Sequence, residues 1–531
     1  MGRRLGPYAY RPVALLELLG AFPPAGGLTG GGEPPADPGA QVVLLDSAGG
    51  SPRLAGRSFI AWRPAVHLWS KDGRIVVARR TGAPAGAEGG EQTAGAWLRQ
   101  EWRGDPFAAL RTLLSSWSPS VTWVGPGGGG ITRRSFDWVG AYGLVGYDAA
   151  RAIESLPDGN LDDQGIPDLD FIFPTRLVCF DHAGGEVFAV ADSSAGLDQI
   201  ERLLSRAART VGRSLCMEVE GHSHDESLRA ASNVTRPEFD EMVERGREYV
   251  WAGDVFQANL SQRLELDYAG PSALLYDVLR TLNPSPFAGY LRLSGYELFS
   301  SSPERLVRLR GRTADTRPIA GTRRRGRDFS EDGALTDDLN LDPKERAEHI
   351  MLVDLERNDL GRVCEYGTVR VDELMVNERY SHVIHIVSNV TGTLAAGRGA
   401  VDLVRSMFPG GTITGCPKVR CMEIIDELEN RRRGAYTGSF GFMGYNGDMD
   451  MNIVIRTLVR IGGRVWAQAG GGIVADSVPE REYLESLSKA EAMVRAVGHA
   501  ARLNAMPGQT PPDRPIAAVR SDPASRPGGE S

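Results

Sequence analysis

Four glutamates and a lysine at helical spacing are the residues of this 531-residue chain best placed to do chemistry. In DPKERAEHIMLVDLERNDLGR, Glu345 and Glu348 stand three apart, so on a helix they share a face with Leu352 and Leu355. In DSVPEREYLESLSKAEAM, Glu482, Glu485 and Lys489 follow at i, i+3 and i+7. Two helices that each present a carboxylate pair supply the hard oxygen ligands magnesium takes, leaving its other positions to water and an anionic substrate. Lys489 adds a point charge suited to a substrate carboxylate. The same spacings also suit two solvated surface helices laced by salt bridges, and sequence alone does not bring the helices together.

The elements that carry these residues have marked ends. Asp342 is an N-cap, Pro343 suits the first helical position, Glu345 completes a capping box, and Gly361 follows the last turn. Ser477 and Glu480 form a second box around Pro479. A third, TRPE from Thr235, opens a helix whose apolar face is Phe239, Met242, Val243 and Val250, up to Gly253. The run VFQANLSQRLELD after it reads as a strand. Helices and strands then mix without a βαβ repeat, which predicts an α+β fold.

Toward the N-terminus the runs QVVLLDS, RSFIAW, AVHLWS, RIVVARR, FIFPTRLVCFDH and EVFAVAD read as strands between Gly/Pro loops. They predict a first domain over 1–220, a polar linker over 221–234, a second domain over 235–503 and a disordered tail over 504–531. The glycines of 125–130 lack the spacing of a phosphate cradle, and His222 and His224 in the linker read as solvated side chains. A net charge of −8 argues against nucleic acid or an anionic membrane as the partner. Cys179, Cys216, Cys364, Cys416 and Cys421 show no CxxC spacing, which predicts a reducing compartment with neither a zinc site nor a disulfide framework. Glu17 interrupts the N-terminal apolar run, and no segment approaches the ~20 apolar residues of a membrane span. A soluble, cytoplasmic protein is expected.

Taken together, DTRPIAGT (315–322), KERAEH, YSHVIHIVSNVTG (380–392), FPGGTITGCPKVRCMEIIDELE (408–429), RRGAYTGSFGF, DMNIVIRT and QAGGGIVADS resemble, in that order, the chorismate-utilising enzymes. The resemblance covers roughly residues 235–500; LLDSAGG and FDWVGAYGLVGYD resemble that family's first domain more loosely. It implies a two-domain α+β fold of packed β-sheets with helices outside. It also implies Glu348 and Glu485 as ligands of Mg2+, with Glu345 and Glu482 as their partners, the metal orienting the ring carboxylate of chorismate. Thr412, Tyr436, Arg456, Lys489 and the backbone N–H groups of Gly471 and Gly472 would hold the substrate's two carboxylates, the arginine as a fork. Gln257, Ala320 and Thr322 would be catalytic positions, and His385 would be the catalytic histidine, an acid near the C4 hydroxyl. His382, three residues earlier, falls on the opposite face of a strand.

Gln257 in VFQANLSQR decides the reaction type. Relatives that use water resemble this chain but carry a lysine there as base and a glutamate in place of Arg317 as acid; this chain has neither. Ammonia brings its own lone pair and needs no such base, so the resemblance implies amination of chorismate. NLSQR, NPSPFAGYL, SSSPERLV, GGTITGCPK and GAYTGSFGF resemble the type that makes 4-amino-4-deoxychorismate, toward 4-aminobenzoate and folate. Against it, that type often carries a lysine nucleophile in PIKGT where this chain has Ala320, as in anthranilate synthase component I, the alternative, which releases anthranilate and pyruvate. Nothing resembles the Gly-x-Cys-x-Gly turn of a glutaminase, which implies a separate glutamine amidotransferase subunit as the ammonia source. A non-catalytic chorismate-binding subunit would need a metal or carboxylate position lost, and all are present. LLDS and NPSPFA stand where tryptophan-inhibited relatives carry LLES and NPSPYM, which predicts weak inhibition or none.

Overall fold

The computed structural model describes residues 2–7, 15, 41–49, 56–81, 96–117, 136–210, 230–379 and 383–505. Glu17, the glycine-rich loops, Cys216, His222, His224, His382 and the tail from residue 506 lie outside them.

The strand Gln257–Asp267 is buried on both faces over most of its length, its polar side chains Gln257, Asn259, Gln262 and Arg263 included. It pairs antiparallel along its whole length with Arg464–Ile473, placing Asn259 opposite Gly472 and Leu260 opposite Gly471. At its start Gln257 pairs with Cys416. Ile319–Arg324 pairs with Val383–Thr393, setting Ala320 opposite Ile386 and Thr322 opposite His385, with the register broken between them. Gly321, in the break, has φ of +69°, a conformation glycine adopts without penalty.

Strands on either side of 221–234 pair directly. Val42–Asp46 hydrogen-bonds to Phe287–Arg292 and Gly140–Val145 to Ser439–Gly444. The two largest apolar cores likewise draw on both stretches: Phe171 and Val66 lie in one with Leu260 and Ile473, and Phe180 and Ile60 in the other with Leu275 and Ala496. Helix Pro479–Ala505 packs on Arg464–Ile473 and on Ser272–Leu282. This is the α+β arrangement of packed antiparallel sheets with helices outside. No helix among the described residues is long and apolar enough to cross a membrane.

Several local expectations are met. Thr235 and Glu238 form both halves of the capping box, and Phe239, Met242 and Val243 are buried. Asp342 caps its helix through the N–H groups of Lys344 and Glu345, with Leu352 and Leu355 buried. Others differ. RSFIAW and AVHLWS form one strand, Arg57–Lys71, bent where Arg63 takes φ of +56°. The Glu348 helix runs through Gly361, and Arg362 is its C-cap. Glu345 does not turn back to its cap, because Arg323 takes it at 3.1 Å. Ser477 bonds the Val474 N–H and faces Glu482, not Glu480.

Candidate active site

The Glu348 helix packs on Ile319–Arg324 and Val383–Thr393, the Glu485 helix on Arg464–Ile473, and Gln257 on the neighbouring strand links the first helix to the second. Gln257 donates from Nε2 to Glu348 Oε1 at 3.2 Å. A Cβ added at Gly472 would stand 1.8 Å from Gln257 Nε2, so the amide lies directly on that backbone. A Cβ at Gly471 would stand 3.3 Å from Glu482 Oε2, 3.6 Å from Glu485 Oε1 and 3.8 Å from Lys489 Nζ. One glycine thus faces three of the expected side chains. Lys489 Nζ bonds Glu485 at 2.8 Å and the Gly470 carbonyl at 3.0 Å.

The remaining expected residues close the ring. Arg456 donates to the Lys489 carbonyl. It does not sit inside a strand but at a left-handed bend with φ of +51°, just before Thr457–Ile461. Burial pulls its pKa down, while Tyr436 and Glu485 raise it. Burial pushes the Tyr436 phenol up to about 12, with Arg433 and Arg456 opposing. His385 lies against the Gly321 backbone, with Glu378 and Arg456 also near it. Glu345 Oε2 would be 2.9 Å from a Cβ at Gly321, so the bulge lets the acidic helix approach the backbone. Ala320 is buried on the same strand.

Charge in this site is unbalanced. Burial raises the Glu348 pKa, the Gln257 amide pulls it back, and the like charge of Glu345 raises it again. Burial likewise raises Glu482, with Ser477 opposing and Glu485 adding. Two carboxylate pairs, each with one desolvated member, Glu348 and Glu482, invite a hard cation. No three His, Cys, Asp or Glu side chains converge on one point among the described residues, so a magnesium ion here would be completed by water and a ligand's carboxylate. The donor types fit that ion.

Burial acts in opposite directions on the titration of His385 and of Glu304. Burial lowers the His385 pKa, so near neutrality it is an uncharged imidazole. The group holding a proton is Glu304 of SSPERL, whose carboxyl burial pushes up to about 7 against the Ile319 backbone and Thr412. The Thr412 hydroxyl beside it is buried without a well-formed hydrogen bond among the described residues. Arg317 is occupied by Glu373 and Glu378 at 2.7 and 2.6 Å. An acid flanked by proline at the mouth of an apolar strand was the available signal for Glu304.

A second group went unread. Arg433 grips Glu429 at 2.6 and 3.0 Å, and also donates to the carbonyls of Asn259 and Ile413 and to Thr437 Oγ1. Glu429 in turn takes the Ser261 N–H and hydroxyl at 2.9 and 2.7 Å. This buried pair ties the Gln257 strand to the segments that carry Thr412 and Tyr436.

A family profile described as chorismate binding enzyme matches residues 65–495. The chain is 46% identical to aminodeoxychorismate synthase component 1 of Bacillus subtilis (strain 168) over 67% of this chain and 77% of that protein. It is 47% identical to anthranilate synthase component 1 of Thermus thermophilus, again over 67% and 77%. The crystal structure of anthranilate synthase component I from Streptococcus pneumoniae TIGR4 superposes with a TM-score of 0.68 at 32% identity, covering 83% of this chain and 92% of that one. Matched over residues 65–495, the chain belongs to the chorismate binding enzymes, as a chorismate-utilising enzyme of the type that includes both of those synthases.

Proposed function

We propose that this chain aminates chorismate with ammonia to 4-amino-4-deoxychorismate, releasing water, and that a separate glutamine amidotransferase subunit supplies the ammonia. The observation that carries the reading is Gln257: the side chain fixed against Glu348 is an amide. An amide does not take a proton from water near neutrality, so the nucleophile must bring its own lone pair. Arg456, Tyr436, Thr412, Lys489 and the Gly471–Gly472 backbone hold the two carboxylates, and Glu304 gives its proton to the departing C4 hydroxyl. His385, uncharged, orients that hydroxyl. Magnesium, held by Glu348 and Glu485 with Glu345 and Glu482 beside them, would neutralise the ring carboxylate when bound.

One observation favours anthranilate formation instead. Ala320 is buried where a lysine nucleophile would stand, and the Thermus thermophilus relative is an anthranilate synthase. The products separate the two. The chain is supplied with chorismate, magnesium and an ammonium salt, and anthranilate fluorescence is followed with and without an added aminodeoxychorismate lyase. Little anthranilate and lyase-dependent 4-aminobenzoate are expected; rapid anthranilate from the chain alone overturns the reading. Turnover with glutamine alone would remove the need for a second subunit.

A further inference from the structure

The strand Trp97–Arg103, WLRQEWR, stands at an edge of the sheet. It pairs antiparallel with Arg74–Arg80 on one side, and among the described residues no strand pairs with the other. Its side chains are exposed from Leu98 onward, Leu98 at 65% and Trp102 at 42%, which is unusual for large apolar groups. An edge of this kind is a template for another strand.

Two hydrogen bonds fix which backbone groups face outward. The Thr81 N–H donates to the Ala96 carbonyl at 2.8 Å, and the Gly104 N–H to the Gly73 carbonyl at 3.0 Å. Antiparallel pairs alternate between those that exchange hydrogen bonds and those that do not. With Leu98 opposite Arg79, Gln100 opposite Val77 and Trp102 opposite Ile75, the even-numbered residues bond inward. Trp97, Arg99, Glu101 and Arg103 therefore turn their N–H and C=O groups away from the sheet.

A partner strand has to bond to those four residues, and the same strand of a second copy does so in one favoured register. A twofold axis that pairs odd positions with odd positions passes through a residue. Centred on Gln100, it overlaps the two strands along their whole length and sets Arg99 opposite Glu101. Centred on Arg99 or on Glu101, it sets like charges face to face, which is destabilising. In the favoured register Leu98 also meets Trp102 at a non-hydrogen-bonded position, where side chains stand closest. Charges on an edge strand commonly block pairing; here their signs are complementary about Gln100, so they select a register. Arg99 and Glu101 keep 40% and 43% of their side chains exposed while touching each other at 3.4 Å, so a partner reaches both.

We infer that this edge docks a second copy of the chain, giving an isologous dimer whose sheet continues across the twofold axis. The strand of 7 residues spans only about 23 Å, so the dimer is weak and concentration-dependent.

Light scattering of the full chain over a dilution series tests the inference, with circular dichroism to confirm that each variant is folded. The wild type should pass from monomer to dimer as concentration rises. Arg99→Glu and Glu101→Arg should each raise the dimer dissociation constant about tenfold or more, because each sets like charges opposite one another twice. An equimolar mixture of the two variants should dimerise again, since the pairs across the axis are then of opposite sign. As a second kind of variant, Arg99→Pro removes an outward N–H without touching the bonds to Arg74–Arg80, and should also leave monomer. A wild type that stays monomeric up to its solubility limit overturns the inference and indicates that another segment of the chain covers the edge. A dimer that all three variants leave intact, or a mixture that fails to recover it, overturns it as well.

Discussion

Removing the guanidinium of Arg433 should be the most damaging single change outside the substrate-binding residues. Arg433→Met leaves the Glu429 carboxylate buried with only Ser261 to satisfy it, and breaking one partner of a buried pair costs about 3–5 kcal/mol. The same change strips donors from Asn259 O, Ile413 O and Thr437 Oγ1, each worth about 1 kcal/mol when left unmet. The sum, about 6–8 kcal/mol, is a large part of the ~5–15 kcal/mol that holds a typical protein folded. Urea unfolding followed by circular dichroism measures it. The double variant Arg433→Met/Glu429→Gln should recover part of the loss, because no uncompensated charge then remains. In whatever folded protein survives, chorismate KM should rise, since the Thr412 and Tyr436 segments lose their common tie. A loss below about 1 kcal/mol in the single variant would show that water or relaxation reaches Glu429, and the network argument would fail.

Glu348→Ala should cut chorismate turnover about 10²-fold or more, the scale of losing an electrostatic stabiliser, and EDTA should do the same to the wild type; a magnesium titration with normal turnover in the variant would remove the metal assignment. Glu304 is raised to about 7 by burial and acts in its protonated form, so kcat should fall as pH rises through about 7, and Glu304→Gln should erase that limb from the pH–rate profile. The cavity between Leu45, Ser47, Pro286 and Phe440 is only about 70 Å³, and Asp46 beside it is engaged by Arg280 at 2.9 Å. An indole does not fit without repacking, so tryptophan at micromolar concentration should leave activity unchanged in an inhibition assay.

Spacing made Glu345, Glu348, Glu482, Glu485 and Lys489 legible because helical periodicity is local: two residues three apart share a face whatever the helix packs against. The caps at Thr235 and Asp342 were legible for the same reason. That the two acidic faces come together was not, since it depends on the Gln257–Glu348 hydrogen bond across 91 positions and on the pairing of Leu260 with Gly471. Glu304 escaped because a buried acid between two strands has no pattern of its own; only its burial and its partners, Thr412 and the Ile319 backbone, mark it. Arg433 and Glu429 lie in a charged run, ELENRRRG, whose composition does not mark them as buried, and only the fold shows them beside Tyr436. Arg456 stands at a bend with φ of +51°, and its guanidinium meets the Lys489 carbonyl, a contact its place in the apolar run NIVIRTLV does not reveal.

The pairing of Gly140–Val145 with Ser439–Gly444 sets a timetable for biosynthesis. A ribosome adds about 5–20 residues each second, so the strand ending at residue 145 waits roughly 15–60 s before its partner, about 300 residues later, has been made. Throughout that interval the nascent chain offers the unpaired side of an apolar strand to any neighbour on the same polysome. Holdase chaperones that cover such edges should therefore bind this chain while it is still attached to the ribosome, and cells short of them should accumulate it as aggregates of chains released or stalled before residue 444.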